Sequence, residues 1–165
     1  NTLAHTDRFI RLDEELKMIK AYLELERARF EERLKVIVDV PDEVRGFLVP
    51  PFILQPLVEN AVKHGVLPIE NGGVVSIVAR KTNAELQIFI EDTGVGISEE
   101  MITRLNRDQM PEKCVGLINV QKRLQKLYGE EYGLRIRRKE HGTEVMLIIP
   151  DWVEVDFLNA ETANR

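Results

Sequence analysis

Three segments of the sequence carry residues whose types and spacing suit a charged ligand, and the first is the polar side of an expected helix. This helix is predicted from Ile53 to His64, ended by Gly65 and Pro68, because its apolar residues recur at helical spacing: Leu54, Leu57, Val58 and Ala61. Its opposite side carries Glu59, Asn60, Lys63 and His64. The amide oxygen of Asn60 suits a hard cation held jointly with phosphates, to which Lys63 offers a positive charge. Such a stripe is by itself more often a solvated helix face, and His64 alone is more often a helix-end residue than a ligand.

The other two segments combine glycine with a strand end or a helix start. In ELQIFIEDTGVGIS, Asp92 ends an expected strand, and Gly94 and Gly96 follow it. Such glycines let a ligand approach the backbone, and the carboxylate can accept hydrogen bonds from an exocyclic amine, although an ordinary Asp/Gly turn explains the pattern equally well. In CVGLIN, Gly116 begins an expected helix, where unpaired N–H groups favour phosphate, but glycine before a helix is common.

The elements that must position these residues alternate between helices and strands. A long amphipathic helix is predicted from Leu12 to Leu34, with carboxylates in its first turn and an apolar stripe of Leu12, Leu16, Ile19, Leu23 and Phe30. The β-branched run KVIVDV then predicts a strand, which Pro41 ends. After a turn at residues 71–73, two strands are expected at residues 74–80 and 85–91, the second with Leu86, Ile88 and Ile90 on one face.

The second half of the chain repeats this alternation. A short helix is predicted from Ser98, its N-cap, to Arg107, followed by a mobile polar loop over residues 108–113. Another helix is expected from Leu117 to Tyr128, with Leu117, Val120, Leu124 and Leu127 on one side. Two alternating strands follow, marked by Leu134 and Ile136, and by Val145, Leu147 and Ile149. Strands with one apolar face, interleaved with amphipathic helices, predict an α+β fold: a two-layer sandwich with its helices on one face of the sheet.

Composition limits the classes of function. The chain of 165 residues carries a net charge of −5, which argues against a broad nucleic-acid surface, and Arg135, Arg137, Arg138 and Lys139 are interpreted as the wet face of a strand. No apolar run approaches the roughly 20 residues of a membrane helix, so we expect no membrane contact by this chain. A single cysteine indicates a reducing, cytoplasmic compartment. The first residues contain neither an initiator methionine nor a signal peptide, so we expect a longer protein upstream.

The order of these features resembles the N, G1 and G2 boxes of the GHKL ATPase superfamily. The closer resemblance is to LytS-like sensor histidine kinases, whose pattern PPxxLQPLVENAxKHG is present as PPFILQPLVENAVKHG. The segments LDEELKMIKAYLELERARFEERL and GLINVQKRLQKLYGEEYGLRI resemble that family's linker helix and the region after its G2 box, so the resemblance covers about residues 12–150. It implies a Bergerat-type ATP-binding fold with a mixed sheet.

The resemblance also implies a role for each matching residue in binding ATP and Mg²⁺. Asn60 would coordinate Mg²⁺, with Lys63 and His64 near the phosphates, and Glu59 would be the N-box acid able to polarise a nucleophile. Asp92 would bind the adenine amino group, in a pocket shaped by Gly94 and Gly96 and supported by Thr143. Three residues would lie beside the phosphates at a helix start: Gly116, Leu117 and Asn119. Residues 107–115 would form a lid. Cys114 replaces the usual first glycine of the G2 box, and it resists the positive φ that glycine tolerates.

By the same resemblance, residues 1–34 would be the end of a linker region with its helix, and residues 35–150 the catalytic domain. Residues 151–165 are acidic and aperiodic, which predicts a partly disordered C-terminal tail with Trp152 and Phe157 docked on the domain. The γ-phosphoryl group would pass to a histidine in an upstream dimerisation domain, outside this chain, and then to a response regulator. The longer protein would be a homodimer in the bacterial cell membrane, with this domain in the cytoplasm. Two alternatives remain open: another GHKL ATPase such as an anti-sigma-factor serine kinase, and a nucleotide-binding regulatory module without phosphotransfer.

Overall fold

Seven strands and four helices make up the part of the chain that the computed structural model describes, residues 9–82, 84–109 and 114–151. The strands are β1 (Ile10–Arg11), β2 (Leu34–Asp39), β3 (Leu48–Val49), β4 (Gly73–Lys81), β5 (Glu85–Asp92), β6 (Arg135–Arg138) and β7 (Thr143–Pro150). The helices are α1 (Leu12–Phe30), α2 (Gln55–Asn60), α3 (Glu99–Asn106) and α4 (Val115–Tyr128). Short 3₁₀ turns at Glu31–Arg33, Asp42–Val44 and Glu130–Tyr132 connect them.

Five strands form one mixed sheet in the order β2-β4-β5-β7-β6. β2 runs parallel to β4, with Leu34 opposite Gly73, and the other neighbours are antiparallel. In β5 the residues that alternate toward the core are fully buried, whereas those of the other face are only half-buried. The helices therefore cover one face of the sheet, and the predicted two-layer α+β sandwich with a mixed sheet is confirmed. A separate pair, β1 and β3, joins Ile10 to Val49.

The long helix α1 packs its predicted stripe into the core, since Leu12, Leu16, Ile19 and Leu23 are all buried. Its predicted end at Leu34 is wrong. The helix ends at Phe30, which is only half-buried, and Glu31 follows in the left-handed region with φ of 51°. Because this conformation interrupts the helical hydrogen bonding, the chain turns there and Leu34 becomes the first residue of β2.

The second helix differs from its prediction at both ends. It begins at Gln55 rather than Ile53, because Phe52 has a φ of 59° and turns the chain just before it. It does not end at Gly65 but continues from Ala61 to Val66 as a π-helix, in which Leu67 N–H donates to the carbonyl of Val62. This wider turn places Gly65 beside the end of β5.

The two later helices follow their predictions more closely. The hydroxyl of Ser98 caps α3 by accepting from Met101 N–H at 3.2 Å. Helix α4 begins at Val115, two residues before its predicted start, and the prediction that Leu127 lies on its buried side is wrong. Leu127 is 38% exposed, and Tyr128, 7% exposed, packs into the core instead. The predicted mobile loop falls largely on residues 110–113, which lie outside the described residues.

The C-terminal strand ends at Pro150, as predicted, and Asp151 N–H donates to the carbonyl of Ala84. The predictions for Trp152 and Phe157 fall outside the described residues. In β6, Arg135, Arg137 and Arg138 are exposed, as predicted. Lys139 differs from the prediction, because it follows the strand, is only half-buried, and donates to Glu91 Oε2 at 2.9 Å. Among the described helices, none combines the length and the apolar character that crossing a bilayer would need.

Candidate functional site

A cleft lies where α2, the end of β5 and the beginning of α4 meet. The volume inside it that a water-sized group can occupy is about 100 Å³. It brings together six of the predicted site residues: Asn60, His64, Asp92, Gly96, Leu117 and Thr143. Most of its remaining wall is apolar, from Leu57, Ala61, Ile90, Val95, Ile97, Met101, Cys114 and Val145. This arrangement suits a flat apolar ligand that carries a few polar groups.

Asp92 is the polar group most deeply placed in this cleft. It is the last residue of β5, is 6% exposed, and accepts the N–H of Gly94 on Oδ1 at 2.9 Å. Burial raises the pKa of the Asp92 carboxyl above its usual value, while hydrogen bonds from the backbone N–H groups of Gly94 and Thr143, and the charge of Lys139, oppose that shift. The carboxylate is thus a buried acceptor facing an apolar space.

Two glycines allow α2 and the turn after β5 to touch. Val95 N–H donates to the carbonyl oxygen of Gly65 at 3.0 Å, which joins the π-helical turn to the segment after Asp92. A Cβ on Gly94 would collide with that carbonyl, and a Cβ on Gly65 would lie 2.7 Å from Asp92 Oδ1. Gly96 has a φ of 81°, a conformation that side chains rarely permit. The sequence pattern predicts only that Gly65 ends a helix, and it does not indicate this contact with Asp92.

Thr143 lies directly opposite Asp92 in the pairing of β5 with β7. Its hydroxyl oxygen accepts the N–H of Ile97 at 2.9 Å, which fixes the glycine-containing turn. The Thr143 backbone also opposes the rise in the pKa of the Asp92 carboxyl. Thr143 therefore joins the glycine-containing turn, through its hydroxyl, to the end of β5, where it pairs with Asp92.

The four polar residues of α2 and its π-helical continuation divide into two pairs. Asn60 and His64 line the cleft, and within the described residues the Asn60 amide makes no hydrogen bond. Glu59 accepts from Gln55 Nε2 at 3.3 Å, and its charge helps burial to raise the pKa of the Tyr22 hydroxyl on α1. Neither Glu59, which is half-buried, nor Lys63, which is exposed, lines the cleft.

At the start of α4, Leu117 and Cys114 line the cleft, whereas Gly116 and Asn119 are exposed and do not. Cys114 stands where the LytS-like kinases usually have glycine. Its φ is −115°, so the backbone here does not adopt the left-handed conformation that favours glycine. Of the predicted lid, residues 107–109, 114 and 115 are described, and residues 110–113 lie outside the described part of the chain.

The site offers little to a metal ion on its own. Among the residues that the structure describes, no three His, Cys, Asp or Glu side chains are grouped to hold one. The amide oxygen of Asn60, at the cleft and without an internal partner, is the kind of hard ligand that Mg²⁺ accepts, provided that a bound ligand supplies further oxygens. The donor set therefore fits a cation shared with phosphates and not a metal held by protein alone.

The sequence and the fold are similar to those of known kinases. Residues 52–152 match the family of histidine kinase-, DNA gyrase B- and HSP90-like ATPases. The chain is 43% identical over 145 residues to sensor histidine kinase YpdA of Escherichia coli K12 and 34% identical over 145 residues to sensor histidine kinase/phosphatase LytS of Staphylococcus aureus MRSA252. These matches cover 88% and 86% of this chain, which spans about a quarter of the length of both relatives.

Among solved structures, the catalytic domain of histidine kinase ThkA matches with a TM-score of 0.64 and 18% identity, over 87% of this chain and 95% of that one. ThkA has also been solved in complex with the response regulator TrrA, where it matches with a TM-score of 0.61 over 87% of this chain and 41% of that one. At this identity the likeness concerns the fold, whereas the family match rests on sequence. This chain therefore belongs to the histidine kinase-, DNA gyrase B- and HSP90-like ATPases, as a catalytic ATP-binding domain of the sensor histidine kinase type.

Proposed function

We propose that the cleft binds ATP together with Mg²⁺, and that the domain transfers the γ-phosphoryl group to a histidine outside this chain. The observation that carries the proposal is the Asp92 carboxylate, an acceptor buried at the end of an apolar cleft. The adenine ring presents an amino group as donor and two flat apolar faces. Asp92 would accept from that amino group while side chains such as Met101 and Val145 contact the ring.

The phosphates would extend past Asn60 and His64 toward solvent. Asn60 would provide an oxygen ligand for Mg²⁺, whose charge offsets that of the phosphates during transfer. Lys63 is exposed, so its ammonium group would meet phosphates only where they project beyond the cleft. We assign Gly116 and Asn119, which are exposed near the start of α4, to the phosphates outside the cleft. Leu117 lines the cleft itself.

We assign Glu59 to the contact with the phosphoaccepting histidine and not to the contact with the nucleotide. Its charge acts on the Tyr22 hydroxyl of α1, and it does not line the cleft, although the next residue, Asn60, does. A histidine presented from the α1 side would meet this carboxylate, which would orient and polarise the imidazole. The chain's own contribution to transfer is therefore positioning at Asn60 and Asp92 and acid–base support at Glu59.

The wider assignment concerns the whole protein. The matching relatives are sensor histidine kinases, and the fold neighbour ThkA was solved with a response regulator. On that basis we place the phosphoaccepting histidine in an upstream dimerisation domain of a homodimeric membrane protein, with this domain in the cytoplasm and a response regulator as the final acceptor.

Phosphotransfer is tested by incubating the full-length protein with ATP labelled at the γ-phosphate. The expected label is stable in alkali and lost in acid, as for phosphohistidine. Label on serine of a protein substrate would favour a serine kinase instead, and ATP binding without any labelled protein would favour a regulatory module.

The site is tested on this chain by calorimetric titration with Mg-ATP. Asn60→Asp and Asp92→Ala should each abolish binding while the circular dichroism spectrum stays that of the wild type. Asp42→Ala, which changes a fully exposed carboxylate outside the cleft, is the control. Normal binding by both site variants would refute the placement of the nucleotide.

A further inference from the structure

Phe52, three residues before α2, is held by side chains from two other helices. Phe52 N–H donates to Oε2 of Glu15 on α1 at 2.9 Å, and the Phe52 carbonyl accepts from Nη1 of Arg123 on α4 at 3.3 Å. Phe52 has a φ of 59°, which few residues other than glycine adopt. Its side chain is 56% exposed, so packing in the core does not explain this conformation, and the two hydrogen bonds supply the restraint.

Glu15 is an ionisable residue with 0% exposure, and all of its described hydrogen bonds go to this one turn. Besides Phe52, it accepts from Leu54 N–H at 3.0 Å and Gln55 N–H at 3.3 Å, both on Oε1. These are N–H groups at the beginning of α2 that have no partner within the helix. A buried carboxylate is tolerated when such donors surround it, so α1 and the start of α2 are joined at this point.

Arg123 holds the same turn from the opposite helix. Its Nη2 donates to the Pro51 carbonyl at 2.9 Å, in addition to the bond from Nη1 to Phe52. Arg123 lies on α4, six positions beyond Leu117, which lines the cleft. The turn of residues 51–55 is therefore attached to α1 on one side and to α4 on the other, and α2 begins from it.

We propose that Glu15 and Arg123 are positioning residues for the nucleotide cleft. By holding the turn of residues 51–55 between α1 and α4, they fix the direction of α2, and with it the positions of Asn60 and His64 relative to Leu117. Neither residue lines the cleft, so each acts through α2. This inference rests on the proposed binding of ATP. It also connects α1, the helix that precedes the catalytic domain, directly to the element that carries Asn60.

The test is the dissociation constant for Mg-ATP, measured by calorimetry on the chain at a temperature where each variant is fully folded by circular dichroism. Glu15→Gln and Arg123→Met should weaken binding about tenfold or more, since small displacements of binding groups have effects of this size. Arg123→Lys, which keeps one donor, should recover part of the affinity. Glu14→Gln and Lys122→Met alter exposed neighbours on the same helices and should bind as the wild type does.

A purely structural role would lower the melting temperature of both variants and leave the dissociation constant of the folded protein unchanged, and that result would overturn the proposal. If Glu15→Gln does not fold, the Arg123 pair decides alone, because Arg123 is only partly buried. The double variant should bind scarcely more weakly than the worse single variant, since both act through one turn. Wild-type protein that fails to bind ATP would refute the proposed function instead.

Discussion

The α-carbon of Gly65 lies directly against the carboxylate of Asp92. A methyl group at this position would stand 2.7 Å from Oδ1 and 2.8 Å from Cγ, closer than non-bonded atoms approach. The π-helical end of α2 and the end of β5 can meet only because residue 65 has no side chain, so the position of Asp92 depends on a residue of the neighbouring helix.

Gly65→Ala should therefore displace Asp92, weaken Mg-ATP binding, and destabilise the fold by about 1–3 kcal/mol through overpacking. For stability alone, Gly116→Ala is the matched control, because its new Cβ would have only Pro56 Cβ nearby, at 3.6 Å. Within α4 that substitution should raise stability by up to about 1 kcal/mol. Calorimetric titration and urea unfolding measure both effects. If Gly65→Ala bound Mg-ATP with the affinity of the wild type, the predicted displacement of Asp92 would not matter for binding, and the prediction would be wrong.

Asp92→Asn is expected to separate binding from stability. The amide presents its NH₂ group where the adenine amino group needs an acceptor, so binding should be lost. Because burial makes ionised Asp92 unfavourable in the folded protein, removing the charge should leave the melting temperature unchanged or raise it. Thermal unfolding by circular dichroism, without nucleotide, tests this. A large fall in melting temperature would mean that the hydrogen bonds to the carboxylate outweigh its burial.

The raised pKa of Asp92 also predicts a pH dependence of stability. In the unfolded chain the pKa of this carboxyl is near its ordinary value of 3.8, and in the folded protein it is higher, so between the two values the folded state binds more protons. The group's contribution to stability should therefore fall as pH rises from about 3.8 through the folded pKa, and then become constant. The difference in unfolding free energy between wild type and Asp92→Asn, followed across pH, isolates this contribution. If the unfolding free energy of the wild type, minus that of Asp92→Asn, increased as pH rises, the prediction would be contradicted.

Thr143→Val should loosen the turn that contains Gly96. The substitution removes the oxygen that accepts Ile97 N–H and leaves this donor without its partner, at an expected cost of about 1–2 kcal/mol. Thr143→Ser keeps the hydroxyl and should retain most of that stability. Urea unfolding of the two variants measures the difference. Equal stability of the two would mean that solvent replaces the hydrogen bond.

The parts of the fold that depend on local pattern could be predicted from the sequence. The alternation in β5 places Asp92 at the strand end, and the following glycines mark a turn that a ligand can approach. The contacts that complete the site are non-local. Glu15 bonds to Phe52, 37 positions away, and nothing in the spacing of α1 distinguishes it from its exposed neighbour Glu14.

Periodicity also fails where one helix face serves two purposes. Leu57 and Ala61 were predicted as core, and they are buried, but they also line the cleft, because that face of α2 passes from the core to the pocket wall. The π-helical continuation could not be read from propensity, since it depends on the contact of Gly65 with the segment after β5.

The exposed arginines of β6 have a consequence for how the domain behaves at high concentration. β6 is an edge strand of the five-stranded sheet, and a strand at an edge offers its backbone as a template for another chain. Arg135 and Arg138 project from this short strand, so two copies that approached along the same edge would bring like charges together. Replacing both by threonine should make this edge a site of aggregation, without touching the cleft.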